Sequence, residues 1–233
     1  MPLTSSERQL ALASAYHERI WEAIPDGLAP PPALALRRRF LLSCARAVEA
    51  PDGGPARVLD VGCGEAHLTQ VLAHAGFRVI GVDVAEEPLR RGRARSPELD
   101  LRLIPAQGEW PLDDGAFDLV WAGEVVEHVT DTLGFFSEVR RVLRARGTLA
   151  LTTPAHSRLS LLALALSPSP RALDSHFDPR GDHVRFYSRA SLRALLADLA
   201  FEDVDVRARG LPLPLPGAQR VLLASARRAR FLG

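Results

Sequence analysis

Apolar positions recur every four residues at Leu12, Tyr16, Ile20 and Ile24, a spacing that places them on one helix face and predicts a helix over residues 6–24. Pro25, Gly27 and the run from Pro30 to Pro32 interrupt the chain. A second helix is expected over residues 33–50, stopping before Pro51-Asp52-Gly53-Gly54. The pattern then changes. Short apolar runs at 57–61, 77–82, 101–104, 117–121 and 148–152 read as strands, and they alternate with helical stretches at 66–75, 86–95 and 131–144. Gly76 is a helix stop. Strands that alternate with helices argue for an α/β fold, a parallel sheet covered on both faces. Residues 155–186 break the rhythm with Pro168, Pro170, Pro179 and Gly181 and read as an inserted lid. A helix at 191–199 and strands at 201–207 and 220–225 follow.

The chain has 233 residues, 47% of them hydrophobic, which suits one α/β domain with a modest lid. The expected division is N-terminal helices (1–50), a cofactor-binding core (57–153), the lid (155–186) and a C-terminal helix with strands (187–233). The formal net charge of +1 leaves no electrostatic footprint for nucleic acid. All 29 basic residues are arginine, which reads as coding bias, and no lysine is present to act as a base or Schiff-base nucleophile. Cys44 and Cys63 are far apart and lack metal-ligand spacing, consistent with a reduced compartment. Charges interrupt the N-terminal stretch, so no signal peptide is expected, and the apolar run Leu161–Leu166 is too short to span a bilayer. A cytoplasmic protein, monomer or homodimer, is the expectation.

The sharpest motif is Val58-Leu59-Asp60-Val61-Gly62-Cys63-Gly64-Glu65-Ala66, a buried strand running into a glycine turn and a helix. Small residues let a ligand approach the backbone, and the helix start offers free N–H groups. Such a ligand lies at the carboxyl ends of the strands. A dinucleotide turn needs a third small residue where His67 stands, which disfavours a nicotinamide oxidoreductase. Asp83, at the end of the second strand, is placed to accept hydrogen bonds from a ribose diol. Asp60 can meet an ammonium group of the ligand, directly or through water.

The segments VLDVGCGEAHLT, VIGVDVAEEPL, PLDDGAFDLVWAGEVVEHV, EVRRVLRARGTLALTTP and HVRFYSRASLRALLADLAFE occur in an order that resembles class I methyltransferases, especially the ubiquinone-biosynthesis O-methyltransferases and related small-molecule enzymes. The resemblance covers residues 36–153 and, less closely, 183–206. It implies a Rossmann-like, doubly wound, seven-stranded and mostly parallel sheet with an antiparallel last strand, and S-adenosylmethionine as cofactor. It implies that Gly62, Cys63 and Gly64 approach the methionine part, that Asp83 holds the ribose, and that Val84 packs on adenine. Gly123 and Glu124 would lie beside the methionine moiety. An arginine of the preceding helix would reach its carboxylate. Arg39 has the best spacing, against a solvated Arg37-Arg38-Arg39 face. One departure is Pro105-Ala106-Gln107 where the family often has Gly-Asp-Ala. The contact to the adenine amino group then falls to Gln107 or to backbone groups around Ala106.

Methyl transfer needs alignment and exclusion of water, and a base only when the acceptor must lose a proton. His128 and His183 are the base candidates, because imidazole titrates near neutrality. His183, heading HVRFYS beside the lid, is the better of the two. Glu127 and His128 can instead tie down the loop before the next helix, capped by Thr130 or Asp131. No metal is expected: His176, Asp178, Asp182 and His183 fall on an irregular loop without telling register. Tyr16, Arg19 and Trp21 can cover a pocket, although packing of the Leu12-Tyr16-Ile20-Ile24 stripe is the simpler reading. The Leu159–Leu166 run lines a substrate entrance, makes a dimer contact or packs in the core. The expected function is methyl transfer to a small organic acceptor, oxygen before nitrogen or carbon. The alternative is a partner protein that binds the cofactor without turnover.

Overall fold

Two strands are buried along almost their whole length, β1 (Arg57–Val61) and β4 (Phe117–Gly123), and they lie side by side. Strands covered on both faces read as near-continuous apolar runs and favour a parallel sheet. The computed structural model describes residues 5–25, 33–155, 162, 166, 183–210 and 221–230. Its further strands are β2 (Arg78–Asp83), β3 (Asp100–Leu103), β5 (Leu143–Pro154), β6 (Phe201–Arg209) and β7 (Val221–Arg228). They form one seven-stranded sheet in the order β3-β2-β1-β4-β5-β7-β6. The first five strands pair in parallel, and β7 runs antiparallel between β5 and β6. The doubly wound sheet with an antiparallel last strand is therefore as expected.

The helices are α1 (Ser5–Ala23), α2 (Leu34–Arg46), α3 (His67–His74), α4 (Glu86–Arg95), α5 (Thr132–Val142) and α6 (Arg189–Asp198). Alternate residues of β1 face opposite sides. Val58, Leu119, Trp121 and Ala150 pack with Leu41 and Ala45 of α2 and Leu68 and Leu72 of α3. Leu59, Val61, Val120, Ala122, Leu149 and Leu151 pack with Phe136, Val139 and Val142 of α5 and Leu192 and Leu196 of α6. Each fully buried aliphatic or aromatic side chain contributes about 1.5–3 kcal/mol of transfer free energy.

The helix expected over 33–50 ends at Arg46, the strand expected over 220–225 runs from Val221 to Arg228, and one boundary inside the core also differs. The helix read over 131–144 ends at Val142, and β5 begins at Leu143 rather than at residue 148. Leu143 is fully buried and pairs with Phe117, so the chain turns extended as soon as it enters the core. Arg144 then donates to Asp118 Oδ1 at 2.5 Å and to the Glu49 carbonyl at 2.8 Å. The arginine-rich segment looks helical in sequence because its sheet partners are distant.

Helices α1 and α4 cap each other. The first N–H groups of a helix have no partner inside it, and Ala85 before α4 supplies no side-chain cap. Glu18 of α1 fills the role, accepting from Glu86 N at 2.7 Å and Glu87 N at 3.0 Å, with its charge at the positive end of the helix dipole. In return Arg91 of α4 donates to the carbonyls of Trp21 (3.1 Å) and Ile24 (2.9 Å) at the end of α1. Hydrogen bonds from a charged donor contribute about 1.5–3 kcal/mol. Arg91→Ala should therefore loosen α1 without unfolding the sheet. Limited proteolysis should cut near residues 16–25 faster in the variant while far-ultraviolet circular dichroism stays close to that of the wild type. Equal cleavage rates would show that α1 is held by other contacts.

Candidate functional site

The order of strands reverses its winding between β1 and β4, and the loops at their carboxyl ends diverge there, leaving a crevice. Gly62 and Gly64 turn the chain out of β1, and both have positive φ. A Cβ on Gly62 would lie 2.5 Å from Val125 Cγ2, so glycine is required here by the protein's own packing as well as by any ligand. Gly62→Val therefore carries strain of its own and does not leave the fold untouched. The Gly64 N–H donates to Asp83 Oδ2 at 2.9 Å, and Ala85 N donates to Asp83 Oδ1 at 3.0 Å. Burial pushes the Asp83 carboxyl above its ordinary value, opposed by these backbone donors. Asp60, buried behind the turn, accepts from the Thr69 hydroxyl at 2.6 Å. Burial raises it to about 7, against the Thr69 hydrogen bond and with a smaller push from Asp83. Burial also raises the Cys63 thiol, so it is no thiolate nucleophile.

Two connected lobes occupy the crevice and share Trp21, Ile24, Gly62 and Glu124 on their walls. The larger, about 620 Å³, is lined by Asp83, Val84, Ile104, Pro105, Ala106, Gln107 and Trp110 on one side and by His128 and Phe135 on another. The smaller, about 360 Å³, is lined by Arg37, Asp60, Cys63, Gly64, Glu65, Gly123 and Glu124. Cavities of this size hold small-molecule ligands. Of the N-terminal stripe, Tyr16, Ile20 and Ile24 line the larger lobe, joined by His17 and Trp21, so this face looks onto the cavity rather than into a core. Arg19 is exposed and takes no part. His17 was not singled out in the sequence, although it neighbours Tyr16.

Of the arginines in the preceding helix, Arg37 lines the smaller lobe and the expected Arg39 does not. Arg39 is exposed, while Arg37 is 7% exposed and lines the smaller lobe. The reason is helical phase: Arg37, Leu41 and Ala45 share the buried face of α2 at four-residue spacing. Arg37 Nε is buried without a hydrogen-bond partner among the described residues. His67, read as the bulky residue at the turn's third small position, has a side chain 44% exposed. The residue packed closely towards α4 is Ala66, whose Cβ lies 3.3 Å from where a Cβ on Gly92 would stand.

At the end of β4, a Cβ on Gly123 would meet the Trp121 indole at 2.7 Å, and the next residue, Glu124, takes a left-handed φ of 60°. That conformation is disfavoured for a residue with a Cβ. Glu124 N donates to the Thr152 carbonyl at 2.9 Å, while Glu124 Oε1 is buried and has no hydrogen-bond partner among the described residues. Glu127 is 1% exposed, no hydrogen bond to its carboxylate oxygens is formed among the described residues, and the nearby Thr153 hydroxyl and Arg37 favour its charged form. Burial and the nearby Glu124 charge raise its carboxyl to about 8. Its backbone carbonyl accepts from Val184 N (2.8 Å) and Arg185 N (3.0 Å), which lays residues 183–187 against this loop. The two histidines read as alternatives are thereby brought together: the rings of His128 and His183 are 4.8 Å apart, edge to face. Asp131 caps α5 through Gly134 N. Gln107 Nε2 donates to Thr130 Oγ1 at 3.3 Å, and Gln107 and Ala106 both reach the larger lobe. Of the lid candidates, His176, Asp178 and Asp182 lie outside the described residues. Of the Leu159–Leu166 run, Leu162 and Leu166 are described, and both are exposed. Among the described residues no helix is long and apolar enough to cross a membrane.

A family model described as a methyltransferase domain matches residues 59–151. The chain is 36% identical over 156 residues to a ubiquinone biosynthesis O-methyltransferase of a Caulobacter species, covering 64% of this chain and 60% of that one. It is 35% identical over 148 residues to a Mycolicibacterium smegmatis protein named as a probable S-adenosylmethionine-dependent methyltransferase, covering 64% of this chain and 52% of that one. The chain thus spans 52–60% of the length of these curated relatives. Among solved structures, the Burkholderia thailandensis 1,6-didemethyltoxoflavin-N1-methyltransferase superposes with a TM-score of 0.63 at 18% identity, over 98% of this chain and 92% of that one. That likeness is one of fold.

The raised Asp60 carboxyl has a consequence for stability. In the unfolded chain Asp60 ionises near the ordinary aspartate value of about 3.9; in the folded chain it holds its proton up to about 7. The folded state therefore binds more protons between these values, and stability falls as pH rises through that window. Melting temperatures of the ligand-free chain from pH 4 to pH 8 should show a smaller decline in Asp60→Asn than in the wild type. Parallel curves would mean that Asp60 is ionised in the fold.

Proposed function

Since this chain carries a class I S-adenosylmethionine-dependent methyltransferase domain, we propose that it transfers the methyl group to an oxygen of a small organic acceptor. The observation that carries this reading is the charge pattern of the joined lobes. The smaller sets the buried, unpartnered Arg37 Nε among Asp60 and Glu124, while the larger sets the single carboxylate of Asp83 beside apolar Val84, Ile104 and Ala106. A zwitterionic amino-acid end suits the first environment, and a ribose with an aromatic base suits the second. S-adenosylmethionine combines both parts, and the residues present fit it.

Arg37 would hold the carboxylate and Asp60 with Glu124 the ammonium group. Asp83 would accept from the ribose hydroxyls, since a carboxylate already bonded to two N–H groups keeps free lone pairs. Gln107 would meet the polar edge of the base. Bound there, the cofactor supplies a methyl group already activated by its sulfonium charge. The protein's part is to align the acceptor, exclude water and manage one proton. The roof of Tyr16, Ile20 and Trp21 does the second. His128, which lines the larger lobe, and His183, whose ring stands against it, would serve the third. Oxygen is favoured because a hydroxyl acceptor must lose a proton and an imidazole pair stands where it can be received. The named activity of the Caulobacter relative points the same way. Most of the expected lid over 155–186 lies outside the described residues.

Calorimetric titration with S-adenosylhomocysteine tests the cofactor assignment. Each lost charge-assisted hydrogen bond removes about 1.5–3 kcal/mol, roughly tenfold or more in affinity. Arg37→Met and Asp83→Asn should each weaken binding by that factor, and NAD should give no heat. Wild-type affinity in either folded variant would remove that residue from the site.

Turnover of a panel of phenols and catechols, scored by S-adenosylhomocysteine release, tests the chemistry. His183→Ala should slow the single-turnover rate about 10²–10⁴-fold with cofactor affinity unchanged. An unaltered rate would move the acceptor atom from oxygen to a nitrogen that needs no deprotonation.

A further inference from the structure

Asp60 reaches the wall of the smaller lobe from β1 while remaining only 2% exposed. Its neighbours across the sheet are Gly81 of β2 and Trp121 of β4, and neither carries a charge. From α3 the Thr69 hydroxyl donates to Asp60 Oδ2 at 2.6 Å. The end of β2 brings a second carboxylate, Asp83, which opposes ionisation of Asp60. The other ionisable groups on this wall are Arg37 of α2, Cys63 and Glu65 of the glycine turn, His67 of α3 and Glu124 after β4. Glu65 is held by Arg91 and Arg95 of α4, with His67 Nε2 at 3.6 Å. Arg37 also acts on Glu127. Among the described residues, the hydrogen bonding to Asp60 comes from Thr69. A carboxylate in such a place is costly unless a cation meets it, whereas the neutral acid needs none.

We propose that Asp60 and Thr69 form a proton-linked latch for the cofactor: Asp60 is protonated in the ligand-free chain and loses that proton to solvent when the cofactor's ammonium group binds beside it. The inference rests on the methyltransferase reading and adds a regulation of the same site. The exchange is balanced, since a neutral acid and an ammonium cation become a carboxylate–ammonium pair and one proton passes to the buffer. Burial raises Asp60 to about 7, so both forms of the free chain are populated around neutrality. The ligand selects the ionised form, so affinity rises with pH and levels off above that value. One linked group of this kind makes binding about tenfold tighter at pH 8 than at pH 6. Thr69 sets the midpoint. Its hydroxyl donates to the charged form and holds the carboxyl below the level that burial by itself would give. The adenosine half of the cofactor, assigned to Asp83 and the larger lobe, carries no ammonium, so the linkage belongs to the amino-acid end.

The test is calorimetric titration of the full chain with S-adenosylhomocysteine at pH 6, 7 and 8, each in two buffers of different ionisation enthalpy. The difference in heat counts the protons released. About 0.9 proton is expected at pH 6 and about 0.1 at pH 8. 5′-Methylthioadenosine, which has the adenosine part and no amino acid, should bind with little release and little dependence on pH. It thereby separates Asp60 from Asp83 and from the histidines of the larger lobe. Asp60→Asn keeps an oxygen for the Thr69 hydroxyl and should bind S-adenosylhomocysteine without release and alike at pH 6 and pH 8. Thr69→Val should keep the release but carry it to higher pH, so that its proton count at pH 8 exceeds that of the wild type. That variant remains informative even where Asp60→Asn folds poorly. Three results each overturn the linkage and leave the methyltransferase reading standing: buffer-independent heat of S-adenosylhomocysteine binding at pH 6, equal release with methylthioadenosine, or unchanged release in folded Asp60→Asn. No binding of S-adenosylhomocysteine at any of the three pH values overturns the methyltransferase reading and the linkage with it.

Discussion

The site depends on a constraint at the end of β1. This strand is buried between β2 and β4 on its edges and between two helical layers on its faces, so its backbone cannot bend until it leaves the sheet. When it does, it must turn sharply, and the turn is pinned from the side by Asp83 through the Gly64 N–H. That hydrogen bond joins the ends of β1 and β2. It places a carboxylate at the mouth of one lobe while the turn itself bounds the other. Val125 on Gly62 and Trp21 near Gly64 close the remaining freedom. Neither glycine is spare room: each is already enclosed by protein.

Around this turn the protein gathers charge that the rest of its interior avoids. Asp60, Asp83 and Glu127 are all buried, burial raises all three, and the buried Arg37 lines a lobe with Asp60 and favours the charged form of Glu127. Elsewhere arginines meet carboxylates at the surface, as in Arg102 with Asp100 and Arg90 with Glu87, pairs of small energetic worth. Unpartnered buried groups cost stability, so their concentration at one end of the sheet marks a place shaped for something other than folding. The left-handed Glu124 in the same loop adds strain at the same point.

Helix α1 completes the enclosure by an unusually economical device. It is bound to α4 through caps at opposite ends, each helix satisfying groups the other leaves open. Polar contacts at its rim thus tie the roof to α4, and Tyr16, Ile20 and Trp21 line the cavity. A helix held this way can present Tyr16, Ile20 and Trp21 to a ligand without burying them in a core.

Much of this was legible in the chain itself. The alternation of apolar runs with helical periods determines the parallel sheet, and the glycine turn followed by Asp83 determines where a ligand lies, because these patterns are local and each element carries its own. The start of β5 at Leu143 was not legible, since its reason is Phe117 across the sheet. Nor was the choice of Arg37 over Arg39, which follows from the face of α2 that meets the sheet. The largest gap is the meeting of His128 with His183. Residues 183–187 are laid on the β4–α5 loop by backbone hydrogen bonds to the Glu127 carbonyl, and main-chain groups are the same in every residue. A contact made by the backbone leaves no side-chain signature to read, so only the folded chain decides that these two rings stand together.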